Sequence, residues 1–143
     1  MPKLVAGAYC LIDAHSGEVL AGRRMNERRP VASIQKLLTA LVVMDAGQPT
    51  QSILITPEDV DVTGSTLGLK AGDQITRADL VKALLLESAN DAALALARNV
   101  AGSTVAFSEK MNARARELGA ERSRFVNPHG LTEFRQRASA RDM

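Results

Sequence analysis

"RPVASIQKLLTALVV", residues 29–43, raises the question on which the rest of the chain turns. Ser33 and Lys36 stand three apart behind Pro30, and an apolar run follows. Ile34, Leu37, Leu38, Leu41 and Val42 recur at helical spacing, which predicts a helix from Pro30 to about Ala46 with these side chains on one apolar face. Gly47 and Pro49 end it. Residues three apart on a helix share a face, so an amine at position 36 reaches a hydroxyl at position 33. One reading is bland: a serine in the first turn and a solvated lysine. The other is a nucleophile with its base one turn away. A serine hydroxyl needs a base at neutral pH, and a lysine serves only when burial or nearby cations lower its pKa. The helix N-terminus also favours negative charge developing at the serine. The S-x-x-K pattern alone is weak, because it often arises by chance. Against the bland reading, Thr39 is the only other polar side chain from Leu37 to Met44. A helix so apolar is expected to be buried on more than one side, and a lysine inside it needs a reason.

A second signal lies in "LLLESANDAALALA", residues 84–97, where Ser88-Ala89-Asn90 makes a short polar step between two apolar helical patterns. Read by itself, the step is a cap, with Ser88 or Asn90 closing the N-terminus of the helix that follows. It also puts a hydroxyl and a carboxamide at a helix junction.

The segments around these motifs read in order. Residues 4–12 are apolar, "DAHSGE" carries turn chemistry, and "VLAGRR" follows, which predicts a two-stranded hairpin. Residues 50–75 are loop and short strand. Thr76 to Asp79 resembles a capping box opening a helix through Leu86. Helix resumes from Asp91 to Val100, and Ala101-Gly102 closes it. Ser103 caps the next helix, with Phe107, Met111, Ala115 and Leu118 as its buried stripe and Gly119 as its stop. "RFVNPHGLTEF" is a loop, and "ASARDM" reads as a helix start.

Composition narrows the classes. The 143 residues predict a single domain spanning 1–143, and 45% hydrophobic with 24% charged residues is ordinary for a globular protein. Net charge is only +2, and aromatics are 3%, so neither a polyanion partner nor a base-stacking nucleic-acid surface is expected. The densest basic stretch, Arg23 to Arg29, reads first as a solvated turn and second as a contact with anionic wall polymer or membrane. Cys10 is the only cysteine, so no intrachain disulfide can form; it reads as a small core residue. The opening "MPKLVAGAYC" has no charged n-region followed by a long apolar run, and so no signal peptide is read there.

Taken together, the motifs and their surroundings are far more specific than either alone. "IDAHSGEVLAGRRMNERRPVASIQKLLTALVVMDAG", "GSTLGLKAGDQITRADLVKALLLESANDAALALA", "MNARARELGAERSRFVNPHGL" and "SARDM" resemble, in order and over nearly the whole chain, the serine D-alanyl-D-alanine carboxypeptidases, the low-molecular-weight penicillin-binding proteins. The resemblance implies an α/β (α+β) fold of the β-lactamase/transpeptidase-like type, an antiparallel sheet packed with helices, incomplete in this chain. It implies catalytic roles for Ser33, Lys36, Ser88 and Asn90. Ser33 would attack the penultimate D-alanine carbonyl of a peptidoglycan stem peptide, or a β-lactam carbonyl. Lys36 would act as general base, Ser88 would relay a proton to the leaving D-alanine, and Asn90 would hold the substrate amide and steady Lys36. The Ser33 N–H would be one oxyanion donor. No metal or cofactor is implied, and the family's usual site is outside the cytoplasmic membrane. His129, in N-P-H-G-L, is read as part of a shaping loop and not as a base, because a Ser–Lys site has no need of an imidazole.

The family's third motif, K-T-G, does not occur: none of the five lysines (Lys3, Lys36, Lys70, Lys82, Lys110) precedes Thr-Gly. By the resemblance, these residues alone would lack the main carboxylate-binding element and a second oxyanion donor, worth ~2.7–4 kcal/mol of barrier. They would be poor or inactive in isolation, with the hairpin edge exposed. A fragment, a cleaved piece and a truncation complemented by a C-terminal segment or another chain all remain open. Two other functions compete: a non-catalytic peptidoglycan- or β-lactam-binding protein, and a class A-like β-lactamase. "NPHGLTEF" offers Glu133 but not the E-x-x-L-N pattern of the latter.

Overall fold

Gly17, in the left-handed region with φ +72°, turns the chain between β1 (Tyr9–Ile12) and β2 (Val19–Arg23). Asp13 reinforces the turn by accepting from the Ser16 amide and hydroxyl at 2.8 and 2.9 Å. The strands pair antiparallel, Cys10 opposite Gly22, with an irregularity at Leu11/Ile12. The computed structural model describes residues 4–143. The strand is shorter than the apolar run 4–12 suggested, and Cys10 is half-buried against Met25 and not deep in the core.

A 3₁₀ turn at Ala32–Gln35 leads into α1 (Lys36–Asp45). Next come β3 (Ser52–Leu54), α2 (Pro57–Val60) and β4 (Gln74–Thr76), with β3 and β4 antiparallel, Ile53 opposite Ile75. Thr56 and Asp59 form a capping box on α2. Asp59 is buried and paired to Arg98 at 2.6 Å, which pins α2 to the next helical layer. That layer is α3 (Arg77–Leu86), α4 (Asn90–Ala101) and α5 (Thr104–Glu117). The Thr76 and Ser103 side chains cap α3 and α5 as read from the sequence. Residues 140–142 form a turn, not a helix start.

The fold is α+β: small antiparallel sheets packed with helices. α4 is the hub. Ala92, Ala93, Ala95, Leu96 and Ala97 are fully buried, and these small side chains let α1, α3 and α5 approach closely around it. Phe107, Met111 and Leu80 fill the gaps. Two sequence expectations fail here. Leu118 is exposed, beyond the end of α5, and the expected apolar stripe Ile34, Leu37, Leu38, Leu41 and Val42 is split, with only Leu38 and Val42 in the core. Ile34 is 50% and Leu37 51% exposed, and Leu41 is open too, whereas Leu38, Ala40, Val42 and Val43 are buried. Position on an apolar helix does not choose a face when nearly every residue is apolar; the neighbours do.

Candidate active site

Three elements converge on the Lys36 ammonium nitrogen. From its own helical stretch, Ser33 Oγ lies 3.0 Å from Lys36 Nζ. From the α3–α4 junction, Ser88 Oγ lies at 3.3 Å. From the loop after α5, the His129 carbonyl oxygen accepts at 2.7 Å. Lys36 is 3% exposed, so the solvated-lysine reading fails, while Ser33 is exposed at the mouth of the site. Burial lowers the Lys36 pKa from near 10.5 to about 8, which brings the free amine within reach of neutral pH. A free amine has one lone pair and two N–H bonds. The lone pair can take the Ser33 hydroxyl hydrogen, while the N–H groups face His129 O and Ser88 Oγ.

The backbone is held unusually at this point. Ala32, just before the serine, has φ +49°, and Ser88 has φ +55°. Left-handed non-glycine residues cost on the order of 1–3 kcal/mol each and persist only where the surroundings over-determine them. Neither Ser88 nor Asn90 caps α4: its N-cap is Ala89, with no side-chain cap bond. The bland reading of that step is therefore replaced by one in which both side chains point elsewhere.

Asn90 is buried, donates Nδ2–H to Thr63 O at 2.7 Å, and its amide donates to Ser65 O at 2.8 Å. Its Oδ1 is buried without a partner among the described residues. It makes no hydrogen bond to Lys36, so the steadying contact expected of it is made by the His129 carbonyl. Asp91 fastens the same 63–69 loop, accepting from the Leu67, Gly68 and Leu69 amides at 3.0–3.1 Å. His129 meets Lys36 through its backbone carbonyl, and its imidazole makes no hydrogen bond to Ser33 or Lys36. Burial first, and then the Lys36 charge, lower its imidazole to about 4, and its Nδ1 accepts from Leu131 N at 3.2 Å. Glu133 is exposed. Among the described residues, no group of three or more His, Cys, Asp or Glu side chains is arranged to hold a metal ion.

The sequence reading overlooked Asn127 and Gly130 on the loop side, Gln35 facing them from the helical stretch, and Thr39, noticed only as polar. The available signal was polarity inside an apolar helix, at Gln35 and Thr39, and a glycine directly after a turn histidine.

A serine, a buried lysine and a second serine thus meet at one nitrogen, with a carboxamide two residues after the second serine. Comparison with known proteins gives the family. The family model for D-alanyl-D-alanine carboxypeptidases matches residues 1–143. The chain is 38% identical over 154 residues to the D-alanyl-D-alanine carboxypeptidase DacA of Escherichia coli K12, covering 100% of this chain and 38% of that protein. It is 36% identical to the D-alanyl-D-alanine endopeptidase of Pseudomonas aeruginosa, covering 99% of this chain and 46% of that one. Its fold matches the crystal structure of penicillin binding protein 5 from Haemophilus influenzae with TM-score 0.93 and 32% identity, over 99% of this chain and 44% of that chain. The chain belongs to the D-alanyl-D-alanine carboxypeptidase family. It spans less than half the length of these relatives.

Proposed function

We propose that residues 1–143 are part of one penicillin-binding catalytic domain of a serine-type D-Ala-D-Ala carboxypeptidase, and that they carry its acylation machinery. The observation behind this is the buried Lys36 Nζ within hydrogen-bonding distance of both Ser33 Oγ and Ser88 Oγ. Lys36, as the free amine, takes the Ser33 proton while Oγ attacks the penultimate D-alanine carbonyl of a peptidoglycan stem peptide. The C–N bond to the terminal D-alanine breaks, and its nitrogen receives the proton through Ser88. Water then hydrolyses the Ser33 ester. A β-lactam carbonyl would acylate the same oxygen, its ring C–N bond opening in place of the peptide bond. Asn90, whose Oδ1 is buried without a partner among the described residues, would hold a substrate amide N–H once its side chain turns toward the cleft, and the Ser33 amide suits the developing oxyanion. Base catalysis of this kind is typically worth ~10²–10⁴ in rate. A K-T-G-bearing segment, in the same gene product or in a complementing chain, would supply the carboxylate contact and the second oxyanion donor. Peptidoglycan as substrate places the work outside the cytoplasmic membrane.

The test is intact mass of the full-length gene product after incubation with benzylpenicillin. One acyl adduct is expected on the wild type and none on Ser33→Ala. An unmodified wild type, or an adduct that survives Ser33→Ala, refutes the assignment.

A further inference from the structure

We infer, on the strength of that acylation reading, that the 127–130 loop is a positioning device for the Ser33–Lys36 pair, with Gly130 setting its closeness and Gln35 and Thr39 its anchorage. Three consecutive carbonyls of the loop are each taken by a side chain from one stretch of helix. Gln35 Nε2 donates to Asn127 O at 2.6 Å, Thr39 Oγ1 to Pro128 O at 2.6 Å, and Lys36 Nζ to His129 O at 2.7 Å. Asn127 closes the loop on itself. Its Oδ1 accepts from the Gly130 amide at 2.8 Å and from Gln35 Nε2 at 3.2 Å, and its Nδ2 donates to Leu131 O at 2.8 Å. Gln136 backs it, accepting from the Val126 and Asn127 amides at 3.1 and 3.3 Å.

Gly130 then lies directly on the peptide that carries the nucleophile. Its φ is +96°, and a Cβ there would overlap the Ala32 carbonyl oxygen and lie 2.5 Å from Ala32 C and 2.9 Å from Ser33 N. All three atoms belong to backbone that cannot swing away. One loop therefore touches both reactants: its 129 carbonyl holds the base, and its 130 backbone abuts the Ala32–Ser33 peptide beneath the nucleophile. A side chain at 130 drives the two apart. Displacements on the order of 1 Å between reacting groups cost about 10²-fold in rate.

The test measures the second-order rate of acylation of the full-length gene product by a fluorescent penicillin, divided by the titrated concentration of reactive sites, with circular dichroism reporting folding. Gly130→Ala is expected to lower that rate by about 10²-fold among folded molecules. Thr39→Val keeps the side-chain shape but loses the donor to Pro128 O, and a fall of about 5–10-fold is expected. Thr39→Ser keeps the hydroxyl and should return the rate to within about twofold of wild type. Wild-type rates per site in the folded variants, with only the melting temperature lowered, would overturn the inference and leave the loop as scaffold. If Gly130→Ala does not fold, the Thr39 pair decides: equal rates for Val and Ser overturn the inference, and a rate restored by Ser alone upholds it. A wild type that is not acylated on Ser33 refutes the acylation reading itself, before any loop variant is compared.

Discussion

On one side of the helical stretch from Ala32 to Asp45, Gln35, Lys36 and Thr39 are buried; on the other, Ile34, Leu37, Leu41 and Met44 face solvent. The helix shelters its polar residues and shows several of its apolar ones. Burying an amide, a hydroxyl and an amine is costly unless each finds a partner. Here each donor finds one, on a loop carbonyl that itself needed a donor, while among the described residues Gln35 Oε1 is left without a partner. The outer side has no such logic among the described residues. Leu37 and Leu41 line a groove with Leu118 and Met143, and Ile34 and Met143 line another beside the first hairpin. The inner face gathers the polar groups on which the proposed acylation rests, and the outer one, among the described residues, leaves several apolar side chains exposed.

The hardest way to break this contrast is on the inner face. Lys36→Ala should lower the acylation rate by ~10²–10⁴, read with a fluorescent penicillin, because the base is gone. Gln35→Leu removes the donor to the Asn127 carbonyl and should destabilise the protein by about 1–3 kcal/mol in a denaturant titration, since a buried acceptor is left unpaired.

Acidity sharpens the comparison next. The acylation rate should climb as pH rises through about 8, where Lys36 becomes a free amine. Lys36 also shapes stability. Unfolded, it titrates near 10.5, and folded near 8, so between those values the unfolded chain binds more protons and stability rises with pH. Lys36→Met should flatten that rise in denaturation curves collected from pH 8 to 10. His129 acts likewise at lower pH. Its fall from 6.5 to about 4 means that stability is lost as pH drops through that window, and His129→Gln should remove this dependence.

The smallest effect belongs to the outer face. Leu37→Gln and Leu41→Gln should each cost no more than about 1 kcal/mol of stability, because roughly half of each residue is already exposed. The same substitutions should reduce its binding of a hydrophobic dye. A loss of several kcal/mol would mean that this face is packed in solution.

Much of the architecture was legible locally. Gly17 in a polar turn announced the hairpin, the capping residues Thr76 and Ser103 announced α3 and α5, and Gly102 announced the end of α4. Each signal acts through its own backbone within a few residues. The outward turn of Leu37 and Leu41 was not legible, because a helix apolar all round carries no phase to read. Nor was the escape of Ser88 and Asn90 from their ordinary capping role, which depends on Lys36 and on Thr63, both far away in sequence.

What the sequence by itself determined is the inventory and the local geometry: a serine and a lysine one turn apart, a second serine and an asparagine at a helix junction, and a loop rich in turn chemistry. What only the tertiary structure decided is that these meet. Lys36 lies 52 residues from Ser88 and 93 from His129, and a single buried nitrogen joins all three elements. Local propensities act over a few residues. The lowered pKa of Lys36 and the close seat of Gly130 on the Ala32–Ser33 peptide are properties of burial and contact, and these exist only once α1, α4 and the 127–131 loop have packed together.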